Sequence, residues 1–180
     1  MINPQNFSKT VLLTTVLIAF LSLFAQLSIT ISMIPITGQT LALGIIASVF
    51  PLRVGLAVVL GYLLLGALGL PIFANQKYGI DAILGATGGF LVGFVFYVIT
   101  VRICLHFSKK FITFIAANLL ATFITLIFGC TWLYISKDLS IMKVINVAMI
   151  PFIVPGIIKS TLSAVIGYGS ARYYLKCANK

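Results

Sequence analysis

Acidic residues are almost missing from this sequence. Asp81 and Asp138 are the only two in 180 residues, and charges of either sign make up 8% of the chain. A soluble domain carries roughly 25% charged residues, so this chain cannot solvate its own surface. Two acids on separate loops also make a poor catalytic pair. Cysteine is scarce: Cys104, Cys130 and Cys177 are widely spaced, without a C-x-x-C pair. An odd count at such spacings argues against a disulfide framework or a zinc site, and no metal is expected. The single histidine, His106, lies among Arg102, Lys109 and Lys110, where a solvated or headgroup-facing role suits it better than catalysis. There is no G-x-x-x-x-G-K-[ST] loop to bind and hydrolyse ATP. No paired acid, base or nucleophile marks an enzyme.

What the sequence has in abundance is apolar surface, 61% of its residues. Lipid must cover much of the outside, so the chain reads as an all-α integral membrane protein. Its net charge of +10 comes from cations scattered between apolar runs. They form no basic face and have no ladder of stacking aromatics beside them, so they read as topology signals and not as a nucleic-acid footprint.

A membrane helix needs about 20 mostly apolar residues. Six spans are expected, at about 11–28, 39–50, 54–70, 83–101, 111–135 and 155–174, in one transmembrane domain covering 1–180. The first apolar run is longer than the roughly 7–15 residues of a signal-peptide core, so it is expected to stay as a helix. Pro35 breaks the chain before the second helix, and Pro51 and Pro71 end the second and third. The second helix is short and is expected to tilt or to enter the bilayer without crossing it cleanly. Residues 71–82, which include Asn75, Gln76, Lys77, Tyr78 and Asp81, suit an external loop. Asp81 is expected to cap the fourth helix.

Six crossings with both termini cytoplasmic place Lys9, Arg53, Arg102, Lys109, Lys110, Arg172, Lys176 and Lys180 inside with no acid. Lys77, Lys137 and Lys143 then lie outside with both acids, as the positive-inside rule requires. Trp132 and Tyr134 fit an outer aromatic belt, Tyr173 and Tyr174 an inner one. Small and polar residues three or four apart mark inward faces. Thr15, Ala19, Ser22 and Gln26 do so on the first helix, Asn118, Thr122, Thr125 and Gly129 on the fifth. Gly85, Gly89 and Gly93 permit close approach of another backbone to the fourth. Helix packing is the ordinary meaning of such stripes; contact with a ligand or partner is the other.

That separation leaves Lys159. A cation within a span is costly and by default marks a functional site. Pro155 suits a first helical position, which would set Lys159 about one turn inside the sixth helix. Free amides and the helix dipole there favour an anion, and the ammonium adds a full charge. The alternative is a side chain that snorkels out to lipid headgroups. Asn75 is a second candidate, because an amide both donates and accepts hydrogen bonds and suits a neutral polar ring.

Several stretches occur together in a telling order: Ala25-Gln-Leu-Ser28, Ile34-Pro-Ile-Thr-Gly-Gln-Thr40, Tyr62-Leu-Leu-Leu-Gly66, Gly69-Leu-Pro-Ile-Phe-Ala-Asn75, Gly85-Ala-Thr-Gly-Gly-Phe90, and Pro151-Phe-Ile followed by Lys159. The set nearly spans the chain and resembles the BioY family of biotin transporters, the substrate-binding S components of energy-coupling factor (ECF) transporters. The resemblance implies a compact six-helix S-component fold in the bacterial cytoplasmic (inner) membrane, with biotin bound at high affinity near the outer face and no cofactor. Ligand contacts would fall on Asn75 and Lys159 first, then on Thr37, Gln39, Gly85 and Thr87. Partners would be a transmembrane coupling subunit and two ABC ATPases on the cytoplasmic side, with a solitary or oligomeric carrier as the other mode. The small-residue contact for the coupling subunit is present only loosely, as Thr15-x-x-x-Ala19. Gly156 stands at the family's Asp position ahead of the lysine, which removes an acceptor beside Lys159. Another small carboxylate vitamin such as lipoate is the alternative substrate, and a membrane scaffold subunit the alternative class.

Overall fold

Backbone amides in hydrocarbon must find partners within the chain, and a sequence this apolar does so by forming helices. The computed structural model describes residues 4–30 and 33–178, with side chains over 8–30 and 33–173. Lys180 and the side chains of Tyr174, Lys176 and Cys177 lie outside the described residues.

Helix α1 (Pro4–Gln26) leads into a small antiparallel hairpin, β1 (Ser28–Ile29) and β2 (Ile36–Thr37), with Ser28 opposite Thr37 and Ile29 opposite Ile36. Then come α2 (Gln39–Val49), α3 (Leu52–Ala67), a 3-10 turn at Ala74–Gln76 and α4 (Ile80–Leu84). The chain continues with α5 (Gly88–Phe107), α6 (Phe111–Lys137), α7 (Ile141–Val144), a π turn at Ile145–Met149 and α8 (Ile150–Ala178). Among the described residues, Ser8–Gln26, Gly88–Phe107, Phe111–Lys137 and Ile141–Tyr173 are long and apolar enough to cross a membrane, while α2 and α3 are shorter apolar helices.

The short α2 is the hub. Ala42, Leu43, Ile46 and Ala47 are fully buried, against α1, α5 and α8. Being wrapped by other helices, it has no need to present a bilayer-length apolar surface. The remaining helices turn one face to this core and another outward, where Leu23, Leu64, Ile112, Phe123 and Val165 are exposed. Gly89 and Gly93 bring α5 against α6: a Cβ at Gly89 would overlap Trp132 and the Phe128 backbone oxygen, and one at Gly93 would lie 3.1 Å from Thr125 Cα.

Several expectations change. The hairpin breaks the all-α reading: Ser28 to Thr37 is too short and Pro35-interrupted to be helical, so two residues on each side satisfy one another. The expected helix at 83–101 is two pieces, α4 and α5, broken at Gly85, which therefore does not share the α5 stripe. Asp81 lies in the first turn of α4 and not at its cap, which is Gly79 at φ 82°, a left-handed conformation that glycine adopts freely. On α1 the buried face is Leu17, Leu21 and Ala25; Thr15 and Ala19 face outward, and Thr15 Oγ1 donates to its own helix at Val11 O, 3.0 Å. Trp132, expected in an outer aromatic belt, is half-buried, with Nε1 donating to Gly85 O at 2.9 Å, so it packs within the bundle.

The largest change precedes Lys159. Pro155 is inside α8, and α7, the π turn and α8 follow one another without a gap from Ile141 onward. The stretch 141–158 is too apolar to leave its amides unpaired, so the chain stays helical through both prolines. The π turn ends two residues before Pro151, and its wider winding relieves the clash a proline ring makes with the carbonyl four residues back. No free helix N-terminus stands behind Lys159.

Candidate ligand cavity

The hairpin, the first turn of α2, the loop after α3, and helices α5, α6 and α8 enclose a cavity of about 60 Å³. Most of its wall is apolar, with Phe73, Phe90, Phe94 and Phe152 around it; the Phe90 and Phe152 rings stack at 5.7 Å. Its polar lining comprises Thr37, Gln39, Thr40, Thr87, Thr122 and Thr125, with two cations, Lys77 and Lys159, and no acid. A wider cleft of about 430 Å³, lined by Gln76, Tyr78, Asp81 and Gly85 among others, shares Lys77, Ala82 and Thr87 with it. The cavity and the cleft are therefore neighbours across these three residues.

Lys159 is half-buried and turned inward, its Nζ donating to Thr37 O at 3.0 Å. That bond joins α8 to β2 and holds the hairpin against the bundle. An ammonium has three donors, so two remain for the cavity. Beside it Gly156 contributes only backbone; a Cβ there would meet Thr122 Cγ2 at 3.1 Å and nothing else within 4 Å. Below them Thr122 Oγ1 and Ser160 Oγ share a hydrogen bond of 2.8 Å, and Ser160 also donates to Asn118 O at 3.3 Å.

Gln39 is 5% exposed and begins α2. Its Oε1 accepts from Thr37 Oγ1 at 2.8 Å, its Nε2 donates to Tyr62 Oη at 2.7 Å, and Tyr62 Oη in turn donates to Ile72 O at 3.0 Å. One chain of polar groups thus ties the hairpin, α2, α3 and the loop after α3 together along one wall. Thr40 Oγ1, also in the wall, is the one buried side-chain polar atom without a hydrogen-bond partner among the described residues.

Thr37, Gln39, Thr87 and Lys159 therefore meet in one cavity, as a shared site requires. Gly85 and Asn75 do not line it. Gly85 lines the adjoining cleft and gives its carbonyl to Trp132. Asn75 is exposed at φ 57° and bonds the hairpin, accepting from Ser28 Oγ at 2.6 Å and donating to Thr30 Oγ1 at 3.4 Å. Next to it Gln26 clips the same loop to the end of α1: Nε2 donates to Phe73 O at 3.0 Å, and Oε1 accepts from Gln76 N at 3.1 Å. Sequence reasoning had placed Thr122, Thr125 and Gln26 only on inward stripes. The aromatic wall carried no signal, because phenylalanines facing a cavity and phenylalanines facing lipid have the same pattern.

Known proteins resemble the chain over nearly its whole length. A model of the BioY family matches residues 2–176. The biotin transporter BioY2 of Lactococcus lactis subsp. cremoris is 33% identical over 86% of this chain and 85% of its own. The probable biotin transporter BioY of Pyrococcus horikoshii is 31% identical over 88% and 94%, and the biotin transporter BioY of Thermotoga maritima 32% identical over 79% and 83%. The crystal structure of the S-component for biotin from an ECF-type ABC transporter superposes with a TM-score of 0.82, covering 96% of this chain and 95% of that one at 21% identity, a likeness of fold. A match that runs through both halves of the cavity, on helices able to cross a membrane repeatedly, makes this multi-pass membrane protein a member of the BioY family.

Proposed function

We propose that the chain takes up biotin across the cytoplasmic membrane of a bacterium, binding it with high affinity at an outward-facing site as the S component of an ECF-type transporter. The observation that carries this reading is the inward-turned Lys159 in an apolar, acid-free cavity beside Gln39 and Thr37, in a chain of the BioY family. Biotin has an apolar thiophane body, a ureido ring with two donors and one acceptor, and a carboxylate. Both the carboxylate and the ureido oxygen accept from an ammonium, and aromatic walls with a few placed polar groups suit the rest. Thr37, Gln39 and Thr87 supply neutral polar contacts; Gly85 and Asn75 act from the cleft and the hairpin, shaping the way in. The role is transport and calls for no cofactor.

Counting α2 and α3 as crossings gives six, with both termini cytoplasmic. In support, Lys9, Arg53, Arg102, Lys109, Lys110 and Arg172 fall at or near helix ends on one side of this six-crossing path, and Asp81 and Asp138 at helix ends on the other. Uptake against a gradient needs energy that a bundle without a nucleotide loop does not supply. A transmembrane coupling subunit and two ABC ATPases would supply it, and the outward-facing Thr15 and Ala19 on α1 are available for that contact. Expression in a biotin-auxotrophic host without coupling proteins separates this mode from a solitary or oligomeric carrier.

The direct test is radiolabelled biotin binding by the purified protein, with unlabelled lipoate as competitor. Saturable binding that lipoate does not displace supports biotin. Stronger displacement by lipoate than by biotin would make the substrate another carboxylate vitamin. Absence of binding, together with no protection by either ligand against heat, would leave the scaffold role.

A further inference from the structure

At the far end of the bundle from the cavity, a separate cleft of about 340 Å³ is lined by Leu52 at the start of α3 and by Arg102, Ile103, His106 and Phe107 at the end of α5. Arg102 is half-buried in it, and among the described residues no hydrogen bond or ion pair engages the side chain of Arg102 or His106. A guanidinium presents its donors in a planar fork suited to a phosphate. The other walls are apolar and open, with Ile103 52% and Phe107 82% exposed. Exposed Arg53, Lys109 and Lys110 are close by in sequence, whereas Asp81, in the first turn of α4, and Asp138, which follows α6, lie at the opposite helix ends.

A cationic fork set between exposed hydrocarbon walls matches an anion that carries its own hydrocarbon. We propose that this cleft binds the phosphodiester headgroup of an anionic phospholipid, with Arg102 and the His106 ring donating to the phosphate and an acyl chain lying along Ile103 and Phe107. Basic recesses between spanning helices are the places where such headgroups are held. A free phosphate ester would satisfy the fork but leave the apolar walls uncovered, so the lipid is the better occupant.

The test uses the full chain in detergent, with phosphatidylglycerol and phosphatidylcholine of the same acyl chains, reading retained lipid by native mass spectrometry. One cation is worth about fivefold in anionic-lipid retention. The wild type is expected to keep phosphatidylglycerol over phosphatidylcholine by at least about that factor, Arg102→Gln to lose the preference, and Lys137→Gln, at the opposite end of the bundle, to retain it. Glycerol 3-phosphate should not displace the bound lipid. Equal retention of the two lipids by the wild type, equal losses in the two variants, or displacement by glycerol 3-phosphate would each overturn the assignment. Should Arg102→Gln not fold, His106→Ala on the exposed rim removes the ring donor and is expected to lower the preference by at least about twofold, and an unchanged preference would overturn it as well.

Discussion

Replacing Lys159 by methionine removes the ammonium while nearly preserving side-chain volume, so the shape of the cavity is kept. Two changes follow. The hydrogen bond to Thr37 O is lost, and so is any bond from the ammonium to a ligand. The first acts on the ligand-free and ligand-bound forms alike and therefore cancels in the stabilisation a ligand confers. The second does not cancel. A hydrogen bond to a charged group contributes about 1.5–3 kcal/mol, which raises Kd roughly 10- to 150-fold. At biotin concentrations about 100 times the wild-type Kd, binding stabilises the wild type by about 2.7 kcal/mol. At the same concentration the same relation leaves the variant about 1.4 kcal/mol for a tenfold loss and about 0.3 for a 150-fold loss. Thermal unfolding in detergent with and without biotin reads this difference directly. A variant that keeps the full ligand-induced stabilisation would show that Lys159 anchors the hairpin and does not touch biotin.

Asn118 is fully buried and links helices: it accepts from Tyr97 Oη at 2.9 Å and donates to Ser48 Oγ at 3.1 Å. Interhelical hydrogen bonds in bilayers average about 0.6 kcal/mol with a maximum near 1.7, so Asn118→Ala should cost roughly 1–3 kcal/mol in denaturant unfolding in bicelles. Its cost should shrink in a Tyr97→Phe background; additive losses would refute the coupling. Gly89→Ala drives a Cβ into a backbone oxygen that cannot rotate away, and should cost about 1–3 kcal/mol, whereas Gly169→Ala, with no atom within 4 Å of the new Cβ, should be neutral or stabilising by up to about 1 kcal/mol. Gly156→Leu projects a side chain into the cavity from a position that meets only Thr122, so biotin binding by equilibrium dialysis should weaken at least about tenfold while the unfolding temperature of the ligand-free protein stays close to wild type.

Composition and apolar run length decided the class of this protein before any coordinate was known. A chain with two acids and 61% apolar residues has no soluble alternative, and Gln39 and Phe111 begin helices where the runs begin. Lys159 stood out for the same reason: a charge inside an apolar run is visible in one dimension. The helix start expected before it was not there, because proline preferences learned in water do not hold where an unpaired amide has no water to turn to. The polar stripe on α1 misled in a related way. In lipid, polarity no longer marks the outside, so Leu17, Leu21 and Ala25 could face the core while Thr15 faced out.

What the sequence determined is what neighbours along the chain determine: membrane class, where the long apolar helices run, and the residue types able to hold a carboxylate or a ureido ring. Only tertiary packing decided which of them meet. The bond from Lys159 to Thr37 closes over 122 positions, and Asn75 turned to the hairpin while Gln39 and Thr87 turned to the cavity. Such pairings are set by how helices of unequal length fit around α2, and no local pattern of residues encodes that geometry.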